Sequence, residues 1–508
     1  MKRTLHPNYL KLLPFLAIAG LLLITGCSSG GGENDRDGEN SSDLITDVEP
    51  IERDFAEIKQ SGVLRMITYY SSNTYFLNQG IEVGFEYEMI KEFARENNLA
   101  LEVVIVGDEN PFELLNLGEG DVIAANYTIT SERKRVANFT RPYNIVDQMV
   151  VYSADIGNPP GTIEELAGSG IPISVRRNSS YHFTLQNLIE DGYDIEIDLV
   201  EESFETEASL VQVANGNFMA TVADDNMFDA ANRYIQGLLP GPVIAESDTI
   251  AWAVRQNSTD LESKMNQFLY KHFRFSEDRD TPRRSTFLNV LRKKYFEGSR
   301  QMANYYNPDW NYQSLGIISP YDEIVKSVSD SLGLDWLMVT AMIAQESSFN
   351  PDSKSWAGAV GLMQVLPRFV ETPYEELYDP VKNIEEGARI IKEHLDHYAY
   401  LDSTTQWAFA LATYNVGQGH MADARRLTID RNKNPNEWQN VSDSLIRLMQ
   451  RRYYQDARYG FARGIEPVKY VEEIRNRYRT YQAVIALAEQ QQQSGFTNSI
   501  IPGFIRRQ

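Results

Sequence analysis

Hydrophobic and polar positions change rhythm twice along the chain. After an apolar opening, residues 50–298 alternate short strand-like runs with amphipathic stretches, and from 319 onward the rhythm is helical almost throughout. Val63–Thr68 reads as a strand, 84–98 as a helix with Met89, Ile90, Phe93 and Ala94 on one side, and 101–106 as a second, buried strand. The alternation runs to about Phe275, as expected of parallel sheets packed with helices. In the later region Ser319 suits an N-cap, Pro320 a first helical turn, and Asp322 and Glu323 the positive end of a helix dipole. Ile324, Val325, Val328 and Leu332 then share one face. Asp335 caps a second helix that runs through Leu337, Met338, Ala341, Met342 and Ile343 to Glu346. Further helical patterns cover 381–395, 404–412 and 470–488, and the glutamines at 490–493 read as a fraying end. Residues 299–318, rich in Asn, Tyr and Gln, are the expected linker. The expected units are thus 50–298, 319–480 and a tail at 481–508.

Size agrees with several domains, since 508 residues exceed one ordinary core. A net charge of -23 gives no general attraction for nucleic acid, and none is expected as a partner. The single cysteine, Cys27, cannot form an intrachain disulfide. It follows a positive start (Lys2, Arg3, Lys11) and an apolar run, 12–24, of 13 residues, too short to span a bilayer comfortably. Residues 1–26 therefore read as a signal peptide. The ending Leu23-Ile24-Thr25-Gly26-Cys27 resembles a bacterial lipobox, which implies cleavage after Gly26 and lipidation of Cys27. Ser28, rather than Asp, favours the outer membrane, facing the periplasm. Residues 27–49 are too polar to support a core and read as a tether. The six histidines lack ligand spacing and no phosphate loop appears, so neither a metal site nor a cofactor is expected.

One carboxyl stands out. Glu346 ends an otherwise apolar helix, and Asn350-Pro351 prevents the helix from continuing. The negative end of a helix and apolar surroundings both disfavour a carboxylate, so its pKa is expected to rise toward that of a usable general acid. Read alone, a Glu at a helix end is most often a solvated surface residue. The residues after it change that reading. Glu346, Ser347, Phe349, Pro351, Gly358, Ala359, Gly361, Leu362, Met363, Gln364 and Pro367 resemble the active-site signature of the lytic transglycosylases related to soluble lytic transglycosylase. Later blocks follow in order. Asp379-Pro380 with Asn383, Ile384 and Gly387 matches a helix start. Tyr414-Asn415-Val416-Gly417 resembles Tyr-Asn-x-Gly, with Thr413 separating it from Ala412, and Tyr470-Val471-Glu472-Glu473-Ile474 resembles a late Tyr-Val-x-x-Ile block.

The resemblance implies a mostly α, lysozyme-like domain that cuts the glycan strands of peptidoglycan and leaves 1,6-anhydro ends. Glu346 would act as acid and then base, with Ser347, Met363, Gln364, Tyr414, Asn415 and Tyr470 lining the sugar groove. Asp352 and Glu371 are expected to be solvated. A hydrolase like the goose-type lysozymes and a wall-binding receptor without catalysis are the alternatives.

The first region resembles the family-three extracellular solute-binding proteins through Gly84-Phe85-Glu86-Tyr87-Glu88, Gly120-Asp121, 128–133, 139–143 and 251–255. That implies an α/β domain of two lobes closing on a ligand, with Arg133 gripping a carboxylate, Thr128 beside it and Asp224 facing an amino group. Met219 stands where the family often has Asp. The implied ligand is amino-acid-like or a wall muropeptide.

Overall fold

The computed structural model describes residues 48–107, 109–201, 205–275, 282–305 and 316–493; the expected signal peptide, Cys27 and nearly all of the expected tether lie outside them. Among the described residues no helix is long and apolar enough to cross a membrane.

The first region is built on β1 (Val63–Thr68), β2 (Phe76–Asn78), β3 (Ile81–Val83), β4 (Ala100–Ile105), β5 (Val122–Thr128), β6 (Asn138–Phe139), β7 (Asn144–Ser153), β8 (Ile173–Arg176), β9 (Ile197–Val200), β10 (Ala220–Asp224) and β11 (Leu238–Val254). One mixed sheet has the order β4-β1-β5-β11-β7-β10-β8-β9, with β6 added beside β11. The expectation of parallel strands holds at its two ends, where β4, β1 and β5 run together, as do β10, β8 and β9. Its centre differs. β7 and β11 are antiparallel to each other and to their outer neighbours, because both are long strands that pass from one lobe into the other. β11 loses register three times between Pro240 and Asp248, and Ser247 there has φ 59°, which bends the passage between lobes. Each lobe keeps an apolar cluster of its own, around Ile67, Phe112 and Tyr127 in one and Tyr152, Ile173 and Leu185 in the other.

The second region is helical. Trp336–Ser347 is buried on nearly all sides from Leu337 to Ala344, so it runs through the middle of its domain, and Asp335 caps it by accepting from the Leu337 amide at 3.0 Å. Asp379 and Asp402 cap the helices Pro380–His397 and Ser403–Val416 in the same way. Ser319 does not cap the first helix. That helix begins at Asp322, whose carboxylate turns back to accept the amides of Ile318 at 2.7 Å and Ser319 at 2.9 Å. Two helices, Gln418–Asp430 and Trp438–Arg447, lie outside the helical patterns read from the sequence, although the second is strongly amphipathic and buries Val441 and Leu445. The last, Ile465–Gln493, crosses position 480 without a break, and Tyr481, Val484 and Ala488 are buried.

This last helix joins the two regions. It packs on the edge strand β4, and Arg479 pairs with Glu102 there at 2.9 Å. Farther up, Arg477 pairs with Glu82 at 3.3 Å and the Tyr481 hydroxyl donates to the Gly80 carbonyl at 2.7 Å. Gln79 and Gly80 form the left-handed turn of the β2–β3 hairpin. A Cβ on Gly80 would lie 2.2 Å from the ring of Phe349, three residues past Glu346. One apolar core consequently runs unbroken from the first lobe through Phe76 and Phe349 into the helical domain.

At the far side of the first lobe, fully buried Asp121 receives Arg53 at 2.8 Å, Arg65 at 2.9 Å and Arg255 at 3.3 Å. Burial alone would raise its pKa, but the arginines outweigh it and hold the carboxyl below its ordinary range. Asp121→Asn leaves Arg255 buried without its anion, and a stability loss of about 3–5 kcal/mol is expected in urea unfolding. Because the folded pKa is depressed, the native protein should lose this contribution only as pH falls below the usual carboxylate range, and the variant should show a flatter acid limb.

Candidate functional site

The carboxyl of Glu346 lies where three helices meet. Its own helix presents it at the last turn, Ser403–Val416 brings Tyr414, and Ile465–Gln493 brings Tyr470. The residue keeps part of its surface exposed, while the carboxyl is crowded by protein. The Tyr470 hydroxyl donates to Glu346 Oε1 at 2.5 Å. Burial pushes the Glu346 pKa up to about 7, and the tyrosine's hydrogen bond works against that rise. Among the described residues no cation lies within ion-pair distance of it. The nearby Arg477 is occupied by Glu82 and by the Oε1 of Gln345, at 2.9 Å. Around neutrality, then, this carboxyl exists in both protonation states.

The turn after it is unusual. Ser348 and Phe349 are consecutive non-glycine residues with φ 51° and 59°, a strained pair that surrounding packing must hold. Phe349 stacks on Tyr321 with centroids 6.4 Å apart and abuts Gly80. The glycine-rich stretch then folds back on itself and is stapled by buried Asn383. That side chain accepts from the Met363 amide at 2.7 Å and donates to the carbonyls of Val360 at 2.9 Å and Leu377 at 2.7 Å. Gly361 has φ 79°, and a Cβ there would stand 2.1 Å from the Asn383 amide nitrogen, so no side chain fits.

The remaining expected groove residues separate into two kinds. Burial, and after it the nearby Glu346 carboxylate, raises the Tyr414 pKa, and the Tyr414 hydroxyl donates to the Met363 carbonyl at 2.7 Å. Asn415 is exposed, with no side-chain hydrogen bond among the described residues. Ser347 is partly exposed and its hydroxyl donates to the Ile343 carbonyl at 3.2 Å. Met363 and Gln364 serve the loop: Met363 is fully buried against Gly387, and the Gln364 amide donates to Ser353 and Gly361 carbonyls. Asp352 and Glu371 are exposed.

In the first region, the turn after β1, the end of β5 and the starts of two second-lobe helices face one another. Arg133 is buried, while Lys134 and Arg135 point outward. Its guanidinium lies over the Tyr127 ring at 4.2 Å and donates to the carbonyls of Thr128 at 2.9 Å and Asn178 at 3.3 Å. Asp224 is buried behind the lining residue Asn126, from which it accepts at 2.9 Å, and is driven by burial to a pKa of about 7. Met219 is exposed and away from these groups. The lobes are drawn shut. Ser72 of the first lobe bonds Glu207 of the second through both its amide and its hydroxyl. The space between measures about 30 Å³, well under the ~300 Å³ of an ordinary small-ligand pocket.

Sequence reasoning missed Asn126, Arg176, Tyr181 and Glu207 in this cleft, and Asn383 and Arg477 in the helical domain. Asn383 alone had a signal, within the helix-start block. Among the described residues no cluster of His, Cys, Asp or Glu is placed to hold a metal.

Both regions match known families. The family Bacterial extracellular solute-binding proteins, family 3 matches residues 64–274, and Transglycosylase SLT domain matches 323–437. An arginine-binding protein mutant from T. maritima covers 48% of this chain and 99% of its own, at 26% identity and TM-score 0.40. A membrane-bound lytic murein transglycosylase F from Stutzerimonas stutzeri is 30% identical over 88% of this chain and 90% of its own length. Its counterpart from Desulfosudis oleivorans is 31% identical over 83% of this chain and 90% of that protein. With both domains matched in this order and the identity spread over nearly their whole length, the chain belongs to the membrane-bound lytic murein transglycosylase F family.

Proposed function

We propose that this lytic transglycosylase cleaves the β-1,4 bond between N-acetylmuramic acid and N-acetylglucosamine, with Glu346 as its one acid–base group. The observation that carries the reading is a crowded carboxyl, without a cation at ion-pair distance among the described residues and raised to about 7, beside Tyr414, which bonds the glycine-rich loop at Met363. Protonated Glu346 gives its proton to the glycosidic oxygen as the C1–O bond breaks, and the electron pair leaves with the departing sugar. The carboxylate then removes the proton of the sugar's own 6-hydroxyl as that oxygen bonds C1. A 1,6-anhydro ring forms and Glu346 is again protonated, with no water consumed. Glycosidases that use water need two carboxylates at a set spacing. Here the substrate supplies the nucleophile, and intramolecular proximity replaces the second carboxylate. Tyr470 holds Oε1, leaving Oε2 for the proton. Tyr414, Asn415 and Ser347 face the sugars, and Met363 and Gln364 act through the backbone they fix.

The first domain binds a carboxylate-bearing, amino-acid-like ligand, with a wall peptide the functional choice. Arg133 takes the carboxylate, Thr128 sits beside it and Asp224 takes the amino group. Binding biases access to Glu346 through a short route. The loop 69–74 lines the cleft and continues into the β2–β3 hairpin, whose turn presses on Phe349. Cleavage after Gly26 and lipidation of Cys27 tether the enzyme, through residues 27–49, to the outer membrane facing the periplasm.

Three measurements test this. Mass spectrometry of digested peptidoglycan should show 1,6-anhydro ends, whereas reducing ends would mean a hydrolase; Glu346→Gln should lower turnover by about 10²–10⁴-fold. Tyr470→Phe removes a bond that favours the carboxylate, so the alkaline limb of the kcat/KM profile should move to higher pH. A soluble wall tripeptide should change turnover of the native enzyme, and Gly80→Ala, which forces the hairpin off Phe349, should remove that response. Equal turnover with and without peptide at saturation would refute the coupling.

A further inference from the structure

A second hollow opens at the other end of the helix that carries Glu346. The turn before Trp336, the end of Pro380–His397, the start of Ser403–Val416 and the middle of Ile465–Gln493 enclose about 690 Å³. That lies within the ~300–1,000 Å³ of small-ligand sites. Met338 on its wall precedes Glu346 by eight positions, or about 12 Å along a helix axis, so the two sites are separate.

Its lining has three chemical parts. Met338, Leu395 and partly exposed Trp407 form an apolar wall. Gln406 and Gln482 are half-spent. Each uses its amide NH₂, on the Leu395 carbonyl at 2.8 Å and on the Tyr478 hydroxyl at 2.8 Å, and each keeps Oε1 free to accept from an N–H. The third part is cationic. Lys392 is paired with Asp396 at 2.5 Å and Arg479 with Glu102 at 2.9 Å, but Arg475 makes no hydrogen bond or ion pair among the described residues. Asp335, the remaining carboxylate of the wall, is taken by the Leu337 amide and by Tyr478 at 2.6 Å. Glu102 and Glu472 act on Arg475 only at a distance, and burial followed by repulsion from Arg479 depresses its pKa. A partly buried guanidinium without a carboxylate is costly, and an arriving anion relieves that cost.

We propose that this hollow is a second binding site, for a carboxylate-bearing N-acetylated fragment of the wall polymer. The carboxylate is held by Arg475, the amide N–H groups by the free oxygens of Gln406 and Gln482, and an apolar face by Trp407. The identity of the polymer rests on the catalytic reading above; the site itself rests on the unpaired arginine, the two half-used amides and the volume. It would hold a strand beyond the bond being cut. The carboxylate has two sources in such a polymer, the lactyl group of the sugar and the end of the peptide.

The test is a titration of the full chain by isothermal calorimetry in an Arg133→Gln background, which silences the first-domain cleft. Three probes are used: N-acetylmuramic acid, N-acetylglucosamine, and an N-acetylated tripeptide ending in D-alanine. N-acetylmuramic acid or the tripeptide should bind, whichever binds naming the source of the carboxylate. N-acetylglucosamine should bind at least about tenfold more weakly. Adding Arg475→Gln should weaken the carboxylate probe about tenfold or more, with Arg475→Lys, which keeps charge but not the planar fork, in between. Circular dichroism and the Tm separate loss of binding from loss of fold. Binding indifferent to both Arg475 variants, or no binding of either carboxylate probe, overturns the second site. Adding Glu346→Gln should leave this binding in place. Anhydro products without Arg475-dependent binding would sink this site alone, and binding without anhydro products the catalytic reading alone.

Discussion

The interaction on which the rest turns is a single hydrogen bond to a crowded carboxyl. With Tyr470 its one donor and no cation at ion-pair distance among the described residues, Glu346 is poised between its two protonation states. Much of the surrounding structure serves to keep that balance. An arginine at ion-pair distance would hold the carboxyl ionised and remove its proton. Arg477 lies only one residue away in its contacts, on Gln345, and is restrained there by Glu82 from the other domain. The same ion pair that joins the domains thus holds the Arg477 guanidinium on Glu82 and Gln345 rather than on the crowded carboxyl.

The C-terminal helix is the member that makes this possible. Along one continuous element it places Tyr470 on Glu346, Arg477 between Gln345 and Glu82, Arg479 on Glu102 and Tyr481 on Gly80. It also covers β4, an edge strand that would otherwise expose unpaired backbone. Two domains that carry separate candidate sites are joined along one continuous helix, and the hairpin of the first lobe abuts Phe349 in the strained Ser348–Phe349 turn. That turn is held from both domains, by the stacking of Phe349 on Tyr321 and by the contact of its ring with Gly80.

What the sequence made legible was periodicity and local chemistry. The helix ending at Glu346 was readable because its apolar positions are continuous and Asp335 and Asn350-Pro351 bracket it. Its raised pKa followed from burial alone. Asp322 was misjudged because Ser319 is an equally good cap by type, and only geometry decides which oxygen reaches the free amides. The antiparallel centre of the sheet was not legible, since the buried apolar ends of β7 and β11 look like their parallel neighbours and differ only in whom they pair with. Partnerships across long separations were hidden for the same reason: Gly80 with Phe349, Asn126 with Asp224, and Arg477 with Glu82 carry no pattern in a single chain. Met363 looked like a groove residue by its place in a motif, yet its side chain fills space over Gly387 and only its carbonyl turns toward the site.

The shut cleft of the first domain can be weighed in the same terms. Closure is held by Ser72 on Glu207, Asn126 on Asp224 and Arg133 on the Asn178 carbonyl, so the protein's own groups meet across the gap. The fit is incomplete. Arg133 Nε and both amide atoms of Asn73, on the cleft walls, are buried without a partner among the described residues. Each such orphan costs about 1–3 kcal/mol relative to being solvated or bonded. Several of them on the walls of one narrow space mean that closure without a ligand is opposed by the very groups it buries. A ligand carrying a carboxylate and an amino group would satisfy Arg133 and Asp224 together, and would shift the balance by the difference between those bonds and the ones that the closed lobes make to themselves.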